Sequence, residues 1–226
     1  MRTAAFVCFS ALLFFAVVGS ANAASLVSNG SFELSSQATS GAINGGSNPL
    51  TDWGTSAGLI YLITPGTGGN FFHSTPGNSP DGGNFIAEDG DPNFSGPLTQ
   101  SINGLVVGQT YHVSFYQAAA QLLGYTGATT EQWQVNFGGD TQSSTLMNNP
   151  SESSQPWTQQ TLTFTANSVS ELLSFMAVGT PAGEPPDVLL DGVSITSTAT
   201  PEPAALMLTG VGLLLVVIGR QRRKRA

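Results

Sequence analysis

Between residues 24 and 200 the chain carries thirteen carboxylates and not one lysine or arginine. The six basic residues all lie outside that stretch: Arg2 near the start, and Arg220, Arg222, Arg223, Lys224 and Arg225 near the end. A domain folded from the middle stretch therefore has no internal ion pair to Lys or Arg. Each of its acids must be solvated, hydrogen-bonded to backbone N–H groups, or neutralised by a bound cation. A formal charge of −13 cannot neutralise phosphates, which excludes nucleic acid as a partner. Most of these acids are expected to keep the protein soluble, and a few to face a metal.

The two ends read as addresses. Arg2 precedes an apolar run over residues 4–18, and small residues close the segment at Ala21-Asn22-Ala23. That order is a secretory signal peptide over residues 1–23, with cleavage expected after Ala23. The single cysteine, Cys8, falls inside it. The mature chain then has no thiol chemistry and no disulfide.

At the other end, residues 204–219 are apolar apart from Thr209. As a helix they span about 24 Å, slightly less than the roughly 30 Å hydrocarbon core. The basic tail at 220–226 holds that end in the cytoplasm, which puts the domain outside. Pro201-Glu202-Pro203, the apolar helix and the basic cluster follow one another in order. Together they resemble the PEP-CTERM sorting signal of exopolysaccharide-making Gram-negative bacteria. The resemblance implies recognition by an exosortase, a membrane enzyme that cuts near the Pro-Glu-Pro. It implies an inner-membrane-anchored precursor whose product reaches the envelope, the outer surface or the extracellular matrix.

Residues 24–197 have the length of one domain. Runs at 26–34, 58–63, 85–87, 98–102, 110–118, 132–137, 161–165, 171–178 and 188–195 read as short strands separated by turn residues. In one, Tyr111, Val113 and Phe115 alternate with His112, Ser114 and Tyr116; in another, Trp133, Val135 and Phe137 alternate with Gln132, Gln134 and Asn136. Residues 118–123 admit a helical turn. Stretches 37–48 and 65–80 are loops by composition. Gly104 and Gly108 bracket a loop in which glycine's tolerance of positive φ is expected to be used. The fold class expected is all-β: a two-sheet antiparallel β-sandwich of the jelly-roll kind.

The order of short motifs sharpens this. Asn29-Gly30-Ser31-Phe32-Glu33, Asp52-Trp53, Asp81-Gly82-Gly83-Asn84-Phe85, the Gly104–Tyr111 loop and strand, and Leu190-Asp191-Gly192-Val193 resemble jelly-roll carbohydrate-binding modules and galactose-binding-like domains. In such modules an N-terminal Glu and a C-terminal Asp meet where the first and last strands pair and chelate a structural calcium ion. Glu33 and Asp191 occupy those positions. The family often pairs two Asp there, whereas Gly192 follows Asp191. Oxygen ligands alone suit Ca²⁺. Asp89, Asp91 and Asn93 have the spacing of an EF-hand start, but Phe94 and Gln100 stand where Gly and Glu are required. Segment 88–93 therefore reads as a solvated acidic turn.

A sugar-binding face needs aromatic rings and hydrogen-bonding side chains. His112, Tyr116, Gln132, Gln134 and Asn136 are expected on the outward side of two strands, with Tyr125 and Trp157 in adjoining loops. Trp53 and Trp133 are expected in the core. Lacking Arg and Lys, the domain suits a neutral polysaccharide better than an acidic one. For catalysis, no Gly-x-Ser-x-Gly elbow or paired-His metal motif occurs, and neither His73 nor His112 has a visible Ser-Asp partner pattern. A glycoside hydrolase needs only two carboxylates, and no pair stands out. The reading is a non-catalytic surface or matrix protein that binds glycan or exopolysaccharide. The alternatives are a purely structural envelope protein and, less favoured, a glycoside hydrolase. Terminal sequencing of the exported protein is expected to begin at Ala24. Intact chain in the cytosol, still carrying its first twenty-three residues, would contradict the export reading.

Overall fold

The computed structural model describes residues 24–43 and 48–198. The signal segment with Ala21 and Ala23, the Pro201–Pro203 motif, the apolar stretch and the basic tail lie outside the described residues. Along the described chain run β1 (Gly41–Ala42), β2 (Gly54–Thr55), β3 (Ile60–Ile63), β4 (Phe85–Asp89), β5 (Leu98–Asn103), β6 (Thr110–Gln121), β7 (Thr129–Phe137), β8 (Asp140–Ser143), β9 (Met147–Asn149), β10 (Ser154–Thr165), β11 (Ser170–Thr180) and β12 (Pro186–Ser197). They form two antiparallel sheets. The first has the order β1-β3-β4-β12-β6-β10, the second β2-β5-β11-β7-β8 with β9 also on β7.

The sandwich follows from period-two alternation, which puts one set of side chains between the sheets. Tyr111, Val113 and Phe115 from β6 meet Trp133, Val135 and Phe137 from β7 and Leu173, Phe175 and Ala177 from β11. Phe175 is the aromatic hub: its ring lies 5.1 Å from Phe115, 5.9 Å from Trp133 and 6.4 Å from Trp53, each edge-on. Edge-to-face packing suits the ring quadrupoles, and truncating such a ring to Ala costs about 3–5 kcal/mol. Trp53 and Trp133 are buried here as expected, and their indole N–H groups donate to the carbonyls of Asn29 and Leu189.

A second, smaller apolar cluster sits on the outer face of the first sheet. The loop between β3 and β4, with a 3₁₀ turn at Gly68–Asn70, folds Phe71 and Phe72 back over that face. Phe72 joins Ile63, Phe85, Ala87, Ala118, Ala120 and Leu189. This corrects the helical turn admitted at 118–123, because β6 continues as a strand to Gln121. Ala118, Ala119 and Ala120 are fully buried because both faces are covered there: Ala119 faces the main core, its neighbours the outer cluster. Only a small side chain leaves room for the loop.

Two other expectations differ from the structure. Residues 26–34 form no strand; the chain turns through positive φ at Asn29 and Phe32. The segment still lies along β12, with Leu26 N–H donating to the Ile195 carbonyl and Val193 N–H to the Gly30 carbonyl. Strand β10 begins seven residues before the expected run. Its first half lies on a sheet edge and is only partly covered, so hydrophobic alternation is absent there. Gly104 and Gly108 do take positive φ, both at 81°.

One of the acids buried inside the sandwich bridges its two sheets. Glu88 on β4 is 0 % exposed, and its Oε1 accepts the N–H groups of Gly96 at 2.9 Å and Ala177 on β11 at 3.2 Å, which brackets the two sheets. Burial pushes its carboxyl from 4.5 up to about 8, against the pull of those two donors and with a push from Asp89. The ionised form is thus disfavoured by folding. Its contribution is complete below about pH 4.5 and is lost as pH rises towards 8, at up to about 1.4 kcal/mol per pH unit. Glu88→Gln keeps the acceptor and removes the proton. In metal-free protein its melting temperature is expected to fall less than wild type's between pH 5 and 8. Parallel pH profiles would contradict a protonated Glu88.

Candidate functional site

The expected glycan residues do not share one face. His112 and Tyr116 lie on β6, on the outer face of the first sheet, where His112 Nδ1 pairs with the Thr163 hydroxyl at 3.1 Å. Gln132, Gln134 and Asn136 lie on β7, on the outer face of the second sheet. The hydrophobic core separates the two groups. Tyr125 stands in the β6–β7 loop, 40 % exposed. Trp157 belongs to β10 itself, at an irregularity where Gln155 pairs with Ala119 and Thr158 with Gln117. There it serves the scaffold: its ring packs edge-on against Phe85 at 5.4 Å and its N–H donates to the Gly77 carbonyl.

The outer face of the second sheet is uncharged. Register aligns Thr99 (β5), Ser174 (β11), Asn136 (β7) and Thr141 (β8) in one transverse row, and Met176, Gln134 and Ser143 in the next. Val178 with Gln132 and Ser101 with Leu172 continue it. No outward side chain of these strands is ionisable. Along the β5 edge runs a groove of about 590 Å³ lined by Ser28, Gly54, Thr99, Ser101, Asn103 and Leu172, with Asp52 its one carboxylate.

The acids gather elsewhere. Glu33 and Asp191, far apart in sequence, come into electrostatic reach of each other and of Asp81 on the first sheet's outer side. Asp191 is 0 % exposed; its Oδ1 accepts the Gly192 N–H at 2.7 Å, while its buried Oδ2 has no hydrogen-bond partner. Burial, with Asp81 and Glu33 adding, pushes its carboxyl up to about 7 against hydrogen bonds from Ser79 and Gly192. Glu33 Oε1 accepts the Asn84 N–H at 2.6 Å and lies over Gly83, whose φ of +73° favours glycine and where a Cβ would displace the Glu33 carboxylate. The oxygen-only donors and the partnerless Asp191 oxygen fit calcium. Among the described residues no three His, Asp or Glu side chains are arranged to hold a metal by themselves. An ion held here would draw on two carboxylates and complete its shell with backbone or water oxygen.

The family described as a protein of unknown function, DUF642, matches residues 25–195. The chain belongs to the DUF642 family. Halomucin of Haloquadratum walsbyi is 29% identical over 193 residues, which is 82% of this chain and 2% of that protein. The chain thus spans about 2% of the length of the curated relative it matches. Among solved structures, TmCBM61 in complex with β-1,4-galactotriose is similar at 14% identity and TM-score 0.45, over 76% of this chain and 98% of that one. The CBM22-1 xylan-binding domain from Paenibacillus barcinonensis Xyn10C is similar at 13% identity and TM-score 0.41, over 79% and 97%.

The acidic turn of the DUF642 domain is not solvated, contrary to expectation. Glu88, Asp89 and Asp91 are all buried. Asp91 Oδ1 accepts the Asn93 N–H at 2.9 Å and Oδ2 the Gly183 N–H at 2.6 Å, tying the β4–β5 loop to the β11–β12 loop. Those bonds hold the Asp91 carboxyl below its ordinary range. Sequence reasoning also left Asp81 and Asp187 unassigned. Asp81 was visible only as part of the Asp-Gly-Gly motif, and Asp187 sits in an apolar strand with no motif around it.

Proposed function

We propose that this chain is an exported, non-catalytic glycan-binding domain whose binding surface is the outer face of the second sheet. The observation that carries the reading is the charge segregation. A domain with formal charge −13 presents a four-strand face of Ser, Thr, Asn, Gln and aliphatic side chains without one ionisable group. A neutral polysaccharide can lie there without stripping water from any carboxylate. Its hydroxyls meet donors and acceptors set about 4.8 Å apart along each transverse row, and Leu172, Met176 and Val178 supply apolar contact. An acidic polymer is repelled by the rest of the surface.

In the same proposal, Glu33 and Asp191 hold a structural calcium ion that pins the N-terminal segment to β12. Delivery uses the signal peptide and the C-terminal segment. An exosortase cuts near Pro201–Pro203 after the apolar stretch has anchored the precursor in the inner membrane, and the domain reaches the envelope or extracellular matrix. The partition of acids, the segment along β12 and the order of the tail motifs support this account.

The test is retention of the purified protein on a panel of immobilised neutral polysaccharides and on the producer's own exopolysaccharide. Two lost side-chain hydrogen bonds are worth about 1 kcal/mol each. Gln132→Ala with Gln134→Ala is therefore expected to cut retention about tenfold or more at unchanged melting temperature, while Tyr116→Ala on the opposite sheet leaves it intact. Loss on Tyr116→Ala alone would move the surface to the first sheet, and no retention by any polymer would contradict the binding function.

A further inference from the structure

Asp187 on β12 and Asp89 on β4 are direct partners in the antiparallel register. Both belong to the outer side of the first sheet, since Ala87 and Leu189, two residues along each strand, face the outer apolar cluster. Side chains directly opposite one another on adjacent strands are close neighbours, and like charges there repel. Here the pair is also dry: Asp187 is 1 % exposed and Asp89 3 %.

Neither acid has a cationic neighbour, because the described residues contain no Lys or Arg. Asp89 Oδ1 accepts the Asp91 N–H at 2.9 Å. Asp187 Oδ2 has no hydrogen-bond partner at all, nor has the buried Oε2 of Glu131 on β7, whose Oε1 bonds the Thr129 hydroxyl. Burial pushes the Asp187 carboxyl well above its ordinary range, and Asp89 and then Glu131 push it further. The Tyr61 phenol lies within electrostatic reach of Asp187, Asp89 and Tyr125. A buried carboxylate oxygen without a donor costs about 1–3 kcal/mol or more, and this end of the sandwich carries two of them in mutual range.

We propose that Asp89 and Asp187 hold a divalent cation of the calcium type at a site separate from the Glu33–Asp191 cluster. Separation follows from the strand itself. Asp187 and Asp191 are four residues apart on β12, about 13 Å at 3.3 Å per residue. Leu189, packed in the outer apolar cluster, stands between them. The donors are hard oxygens only, which selects Ca²⁺ over thiolate- or imidazole-seeking metals. Two carboxylates anchor the ion, and water or loop carbonyls complete its shell.

The experiment is calorimetric titration of the EDTA-treated protein with CaCl₂, in wild type and in Asp187→Asn, Asp89→Asn and Asp191→Asn variants. Wild type is expected to show two classes of calcium site. Asp187→Asn and Asp89→Asn each weaken the same class by about tenfold or more through the lost ligand charge, and each raises the melting temperature of the metal-free protein by removing the repulsion. Asp191→Asn leaves that class intact, so failure of the Glu33–Asp191 site is read separately. Unchanged calcium binding in both Asp187→Asn and Asp89→Asn, or no calcium binding beyond an Asp191-dependent class, overturns the inference. The latter result would mark the pair as two carboxyls sharing a proton.

Discussion

A carboxylate inside this sandwich has no side-chain cation to meet. That constraint governs the acids the fold buries. Asp91 and Glu171 take the backbone route: each accepts two main-chain N–H groups from turns, and so stitches loops together. Glu88 bridges two sheets through N–H groups and keeps its proton well into the neutral range. Asp191 and Asp187 are buried with one oxygen each unanswered. The backbone thus supplies most of the positive polarity that lysine and arginine supply in other domains.

The same constraint shapes the surface. With acids drawn to the ends of the sandwich and to the first sheet's outer side, the second sheet's outer face is left polar and neutral. A face of that kind suits contact with a hydroxylated, uncharged polymer, because the contact desolvates no ion. The first sheet is closed in another way: the β3–β4 loop lays Phe71 and Phe72 over Ala118 and Ala120 of β6, Ala87 of β4 and Leu189 of β12. The two outer faces therefore differ: one is partly covered by a loop, the other is open, polar and uncharged.

Alternation of Tyr111, Val113 and Phe115, and of Trp133, Val135 and Phe137, made the inward faces of β6 and β7 legible from the residues alone. It did not say that those consecutive strands enter different sheets, and so His112 and Tyr116 were grouped with Gln132, Gln134 and Asn136. Sheet membership is set by pairing between distant segments, such as Leu190 with Gln117 and with Ile86, which no local period encodes. Glu33 with Asp191 could be anticipated from motif order. Asp89 with Asp187 could not, because two acids 98 residues apart become neighbours only through register. The alanines of β6 and the edge half of β10 were illegible for a related reason: one is buried on both faces, the other only partly covered on either.

The account stands on acids held without counter-ions, and their protonation states test that most directly. Side-chain carboxyl ¹³C titration of the metal-free protein by NMR reads each group separately. Glu88 is expected to titrate near pH 8, while Asp91 is already ionised below the ordinary carboxylate range. Collapse of both onto one transition near pH 4 would show that these carboxylates are solvated, and would contradict the arrangement described.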